Sequence, residues 1–336
     1  MQAIFPLRAV RRGLAALSAL SALAVFGIGA NACAQAYPAG RQVRVIVPAG
    51  TGSGTDVMGR MFADALSQST GGKFFIENRA GAGGNIGLSA AAKATPDGYT
   101  LVLGNLGANV VNQFIYPSLD FNPEKDFDAM AMIAGVPYVV VVPATTGINS
   151  FAELVTAARA KPGGLNVALT GTVVRIMREM FKTVVGVDLF PIPYTGPAPA
   201  MADVLSGRIQ VLFETLGATT LRPNFANGRI KPLAVTTKSG SELLPGVKSV
   251  AEQGYPEFGD FVGWIAFMGP HGVPREAVNV VNAETNKILA RPEVRQRLLD
   301  LGFEAKPQTP QESTDFIAAQ RARFGPLIKA ANIKAE

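Results

Sequence analysis

Gly50, Gly52 and Gly54 alternate with Thr51, Ser53 and Thr55 just ahead of Asp56, and an apolar run that includes Val43, Val45, Ile46 and Val47 precedes them. Pro48 closes that run and Ala49 opens the loop. Glycines and short hydroxyl residues between a strand and a helix leave backbone N–H groups pointing outward, and the helix dipole there favours negative charge. The chemistry implied is anion binding. A nucleotide phosphate would need a Lys-Ser/Thr pair after Gly52 or Gly54, and a dinucleotide would need G-x-G-x-x-G; the sequence has neither here. A small carboxylate suits Thr51, Ser53 and Thr55; a tight strand-to-helix turn without a ligand is the alternative. The device recurs at Thr170, Gly171 and Thr172, which lead into Val173 and Arg175.

Two charged residues extend this reading. The planar fork of Arg175 can clasp a carboxylate bidentately, or it can face outward and pair with Glu179 one helical turn on. Glu214, at the end of an apolar run, can receive a ligand amine or cap the strand end in a polar network. Other chemistries find little support. His271 is the only histidine and Cys33 the only cysteine, so no metal site and no cofactor is expected. Gly52-Ser53-Gly54 is not a nucleophile elbow, which needs a residue on each side of the serine between the glycines. An exported hydrolase is therefore the weaker alternative to a binding protein.

The elements that must hold these loops follow from periodicity. Strands are expected at 43–47, 74–77 and 99–103, each followed by a small-residue loop and, after the first two, a helix. The third loop contains Asn105, Leu106 and Gly107. Such units predict a parallel sheet with connecting helices, whose ligands bind beyond the carboxyl ends of the strands. Segment 121–133 leads to a second β region at 138–142, then a helix from residue 151 capped by Ser150. Strands near 165–169, 189–192, 209–213 and 231–236 follow, with Tyr194 and Thr195 in a turn. Residues 259–268 are aromatic and apolar, and helices are expected at 275–289, 292–302 and 310–331. An α/β set, a second α/β set and returning helices imply two lobes, with chain crossings near 133–139 and 264–268. The expected division is 1–36 as a signal peptide, 37–136 with 267–336 as lobe 1, and 137–266 as lobe 2.

The leader has Arg8, Arg11 and Arg12, an apolar stretch over 13–29 and an A-x-A pattern at Ala34-Gln35-Ala36 before Tyr37. Cleavage after Ala32, or lipid anchoring at Cys33, are alternatives, and the periplasm is the expected location. The chain of 336 residues carries +6, but outside the leader 28 basic residues face 25 acidic ones, or +3. Basic residues form no run there, so the high pI is no sign of nucleic-acid binding.

The chain resembles the extracytoplasmic solute receptors of tripartite tricarboxylate transporters, the Bug receptors, across nearly all of its length after the leader. VRVIVPAGTGSGTD, ENRAGAGGNIG, TPDGYTLVLGNLG, PYTGPAPAMADVLSGRIQVLFE and ARPEVRQRLLDLGFE carry the likeness, in order and spacing. The resemblance implies an α/β, two-lobe, type II periplasmic binding protein, a monomer, with a ligand cleft between the lobes. It implies a small organic acid as ligand, held by backbone N–H groups and waters from one loop per lobe. Those loops map to residues 49–56 and 170–175. The remaining pocket candidates are Asn105, Leu106, Gly107, Tyr194, Thr195 and Glu214. It also implies transient docking on membrane permease subunits; a sensing role without a permease is the variant. The sequence departs from the family pattern at Ala49, where an aromatic is usual, at Val173 and Arg175, where a hydroxyl and a histidine are usual, and at Glu214, often an aspartate.

Overall fold

The strand β1 (Gln42–Val47) runs between β2 (Lys73–Asn78) and β3 (Thr100–Asn105), parallel to both. This is the parallel arrangement that three strand–loop–helix units require. The computed structural model describes residues 37–194, 196–259 and 261–335; the leader, including Cys33, and Thr195 lie outside them. Helix α1 (Gly54–Thr70) follows β1, and α2 (Asn85–Ala92) follows β2. A π-helical turn (Gly107–Val111) and α3 (Asn112–Ile115) follow β3.

The backbone of the molecule is β4 (Phe127–Pro143), 17 residues long. Residues 127–137 pair antiparallel with β9 (Val262–Pro270), and β9 pairs in turn with β3. Residues 138–143 pair instead with β7 (Val211–Thr215) and β8 (Ile230–Val235). The sequence suggested a β region at 138–142 reached through segment 121–133, whereas one strand runs through both. Pro137 is tolerated because it stands where one set of partners gives way to the other. Two register shifts near Ala129–Ala131 and Met132–Ala134 bend the strand on the way. The sheet beyond the switch continues through β5 (Asn166–Leu169) to β6 (Phe190–Pro193), both parallel neighbours in the order β4-β7-β5-β6.

Helices α1 and α8 (Arg275–Leu289) cover one face of the first sheet, where Phe62, Leu66, Val281 and Ile288 meet Val43, Val45 and Val47. In the second sheet, α4 (Phe151–Ala160) and α5 (Thr172–Met180) cover one face and α6 (Pro197–Leu205) and α7 (Leu221–Ala226) the other. Helix α10 (Pro310–Ala330) closes the chain, started by a capping box between Thr309 and Glu312. It joins the halves through a row of rings: Phe213 to Phe181 at 4.6 Å, Phe181 to Phe258 at 5.4 Å, Phe258 to Phe261 at 6.0 Å and Phe261 to Phe324 at 4.9 Å. A second join lies at α9 (Pro292–Asp300) and β10 (Glu304–Ala305). There Gly302, with φ +82°, lies so close to Gly217 that a Cβ on it would be 1.9 Å from the Gly217 Cα. Arg222 donates to the Leu299 carbonyl at 2.9 Å, and the Glu242 amide to Glu304 Oε1 at 2.8 Å, across the same seam.

Candidate functional site

The first glycine loop is built around Asp56, which is 2% exposed. Its carboxylate accepts from the Gly52 amide (2.8 Å), from Asn78 Nδ2 (2.8 Å) and from both Arg60 Nη2 (2.9 Å) and Nε (3.2 Å). Burial works against the charge, but the hydrogen bonds from Arg60, Gly52 and Asn78 outweigh it and hold the carboxyl below its ordinary value. Asp56 thus serves the loop, and Ser53 caps the helix instead, its Oγ accepting from the Asp56 amide. The helix begins at Gly54, ahead of Thr55 and Asp56. Gly52, at φ +81°, is in the left-handed region that the turn requires. With Gly52 and Asp56 amides spent, the first-turn amides of Gly54 and Thr55 have no intrahelical acceptor.

Those two residues line a cavity of about 390 Å³. From the end of β3 and the turn after it come Asn105, Leu106 and Gly107. The Asn105 side chain accepts from the Ala108 amide at 2.9 Å, and the Asn105 backbone N–H donates to Asn109 Oδ1 at 3.0 Å, so this loop is also pinned from within. From beyond the partner switch in β4 comes Val173, in the first turn of α5, whose cap Gly171 is extended and offers no side chain to the helix amides. The walls are Val136 and Tyr138 on either side of the partner switch in β4, Trp264 and Ile265 on β9, and Phe303 at the Gly302 seam. Two larger hollows, of about 560 and 630 Å³, lie around Ser241 and Pro117, and neither receives a residue from either glycine loop.

The remaining candidates sit elsewhere. Ala49 packs against the core between the first sheet and its covering helices, and its carbonyl accepts from Asn78 at 3.2 Å. Thr51 is exposed, Ser53 is the cap, and Thr170 and Thr172 are half-buried without lining the cavity. Arg175 lines a different groove, beside Arg178, Pro191 and the chain end near Ile333. Two residues along a helix turn the side chain by about 200°, so Val173 and Arg175 cannot share a face. Tyr194 donates to Asp203 Oδ2 at 2.6 Å, and burial followed by this bond pushes its phenol up to about 12. Glu214 is 6% exposed; Oε1 accepts from the Thr215 amide at 2.8 Å, Oε2 has no partner among the described residues, and burial raises the carboxyl. Tyr138, Val136, Trp264 and Phe303 were not singled out from sequence. Trp264 lay in the aromatic run near the expected crossing, which is the one signal that pointed to it.

His271 is an exposed loop residue whose Nδ1 lies 2.8 Å from Asp128 Oδ1. Among the described residues no group of three or more His, Cys, Asp or Glu is placed to hold a metal, and no helix is long and apolar enough to cross a membrane.

Residues 58–333 match the family described as tripartite tricarboxylate transporter family receptor. Protein BugT of Bordetella pertussis is 32% identical over 315 residues, covering 93% of this chain and 95% of that one. Among solved structures, R. palustris Rpa4515 with adipate is 32% identical with a TM-score of 0.71, over 89% of this chain and 99% of that one. MatC from Rhodopseudomonas palustris with bound malate is 26% identical with a TM-score of 0.66, over 86% and 99%. The fold is that of two-lobe periplasmic solute-binding proteins, and the chain belongs to the tripartite tricarboxylate transporter receptor family.

Proposed function

We propose that this protein is a periplasmic receptor that captures a small organic acid in the cavity between its lobes and delivers it to the membrane subunits of a tripartite transporter. The observation that carries this is the meeting of Gly54 and Thr55 from one helix start with Val173 from another around one cavity. Each helix start leaves first-turn amides without intrahelical acceptors, and such a helix end favours negative charge. The relatives solved with adipate and malate support the ligand class. The lobes divide within β4 at Pro137–Tyr138, where pairing partners change, and the return crossing precedes Val262, because β9 pairs throughout with first-lobe strands. The leader is removed on export, and the chain works as a monomer.

Micromolar capture needs about −8 kcal/mol. A few charge-assisted hydrogen bonds of about 1.5–3 kcal/mol each, with burial of the ligand between the lobes, reach that after the association cost. Titration calorimetry on protein from residue 37 onward, unfolded and refolded to strip acquired ligand, tests the reading against a panel of carboxylates, phosphate and sugars. A carboxylate is expected to bind and return unchanged. Binding of phosphate or a sugar with no response to any carboxylate would overturn it.

A further inference from the structure

Tyr37 is fixed at both of its ends. Its buried ring lies against Tyr99, with centroids 5.4 Å apart, and its hydroxyl donates to the Gly98 carbonyl at 2.8 Å. Gly98 makes room for the ring: a Cβ there would be 3.2 Å from Tyr37 Cε2 and 2.8 Å from the Ala277 Cβ. At the other end the Tyr37 backbone nitrogen donates to Glu276 Oε1 at 3.0 Å, between residues 239 apart in sequence. Glu276 is exposed and stands in the first turn of α8, where an acid also favours the helix dipole. Arg41, which follows the Tyr37 turn, is committed elsewhere: its guanidinium lies 3.6 Å from the Tyr99 ring centroid and 3.9 Å from Asp97. Among the described residues no side-chain cation pairs with Glu276.

The nitrogen that meets Glu276 belongs to the residue directly after Ala34-Gln35-Ala36, the small-residue pattern of an export peptidase site. In the uncut chain this nitrogen is a neutral amide with one N–H. Hydrolysis of the Ala36–Tyr37 bond consumes one water, whose oxygen ends on Ala36 as part of a carboxylate and whose two protons end on the Tyr37 nitrogen as an ammonium. An atom already within hydrogen-bond reach of a carboxylate then carries a positive charge, and charge-assisted hydrogen bonds are about twice as strong as neutral ones. Cleavage after Ala32, or lipid anchoring at Cys33, would leave the Tyr37 nitrogen a neutral amide and Glu276 with no charge to meet there. Because Tyr37 is buried in the folded chain, the cut has to come before this turn docks.

We propose that the leader is cut between Ala36 and Tyr37 and that the ammonium made by the cut docks on Glu276, tying the start of the mature chain to α8. This rests on the export reading above, and the test separates the two. The full chain is expressed with its leader in a Gram-negative host, and the first residue of the recovered protein is read by amino-terminal sequencing and intact mass. Tyr37 is expected. Any other first residue beyond the leader's apolar stretch, such as a free or lipidated Cys33, overturns the inference and leaves export standing; a chain found only with its whole leader overturns both. Docking is read from the rate at which a succinimidyl ester acylates the α-amine near neutral pH, followed on the amino-terminal peptide by mass spectrometry. Glu276→Gln keeps the shape and removes the charge, and is expected to speed acylation by about threefold, the scale of an exposed ion pair. Glu276→Lys is expected to speed it at least as much, and a melting transition checks that each variant is folded. Equal rates in the wild type and the folded variants overturn the docking.

Discussion

Asp56 shows how one buried carboxylate can hold a glycine loop together from within. Its two oxygens collect four hydrogen bonds in a site nearly closed to water. Removing them with Asp56→Ala leaves Gly52 and Asn78 donors unmatched and is expected to lower stability by on the order of 3 kcal/mol. The sign of the pH dependence follows from a folded value held below the ordinary 3.8. The contribution is fully present above about pH 4 and is lost as pH falls through the lowered folded value. Denaturant titrations should therefore show a gap between wild type and variant that is full at pH 7 and narrows below pH 4. A gap that persists unchanged to pH 2 would mean that the carboxylate charge is not what holds the loop. The sequence could name Asp56 as a loop residue but not which way it faced. Helix caps and ligand contacts draw on the same small polar side chains, and only the position of Arg60 and Asn78 decides between them.

At the scale of elements, the helix starts were readable and the crossing strand was not. Ser150 caps α4 as its sequence context predicts, and Thr309 caps α10 in the same way, each with a glutamate three residues on. Three glycine- or small-residue loops after three strands were enough for the parallel sheet. β4 was opaque because its two halves obey different environments, and Pro137 reads as a break when it is a change of partners. The cavity walls were equally hidden. Val136, Trp264 and Phe303 are far apart in sequence and meet only because β4, β9 and the α9–β10 turn converge. The phase of α5 makes a prediction of its own. Val173→Asp places a negative group in the first helical turn, which favours the helix dipole, and also beside the bound carboxylate, which it repels. Thermal stability should hold or rise slightly while affinity for the bound acid falls at least about tenfold, roughly 1.4 kcal/mol. Loss of both together would place Val173 in the core rather than at the cleft.

For the whole molecule, the close approach of Gly217 and Gly302 makes a prediction about how near its two halves stand. Two backbones approach there with no side chain between them, and Gly302 also needs its positive φ. In Gly302→Ala the new methyl has no room, since its ideal position is 1.9 Å from the Gly217 Cα. The lobes are expected to separate at this edge and widen the wall formed by Phe303. Small-angle scattering should show a larger radius of gyration in the presence of ligand, and calorimetry at least a tenfold loss of affinity. An unchanged radius and affinity would show that the turn moves locally and that the seam does not govern closure.

The long strand has a further consequence for anyone who wants to recombine such receptors. A cut between Pro137 and Tyr138, with a second just before Val262, leaves each ladder of β4 with both of its strands from one parent. Hybrids joined at these two seams would inherit an intact outer half from one ancestor and an intact inner half from another, so the covalent thread that unites the protein also marks where it can be exchanged.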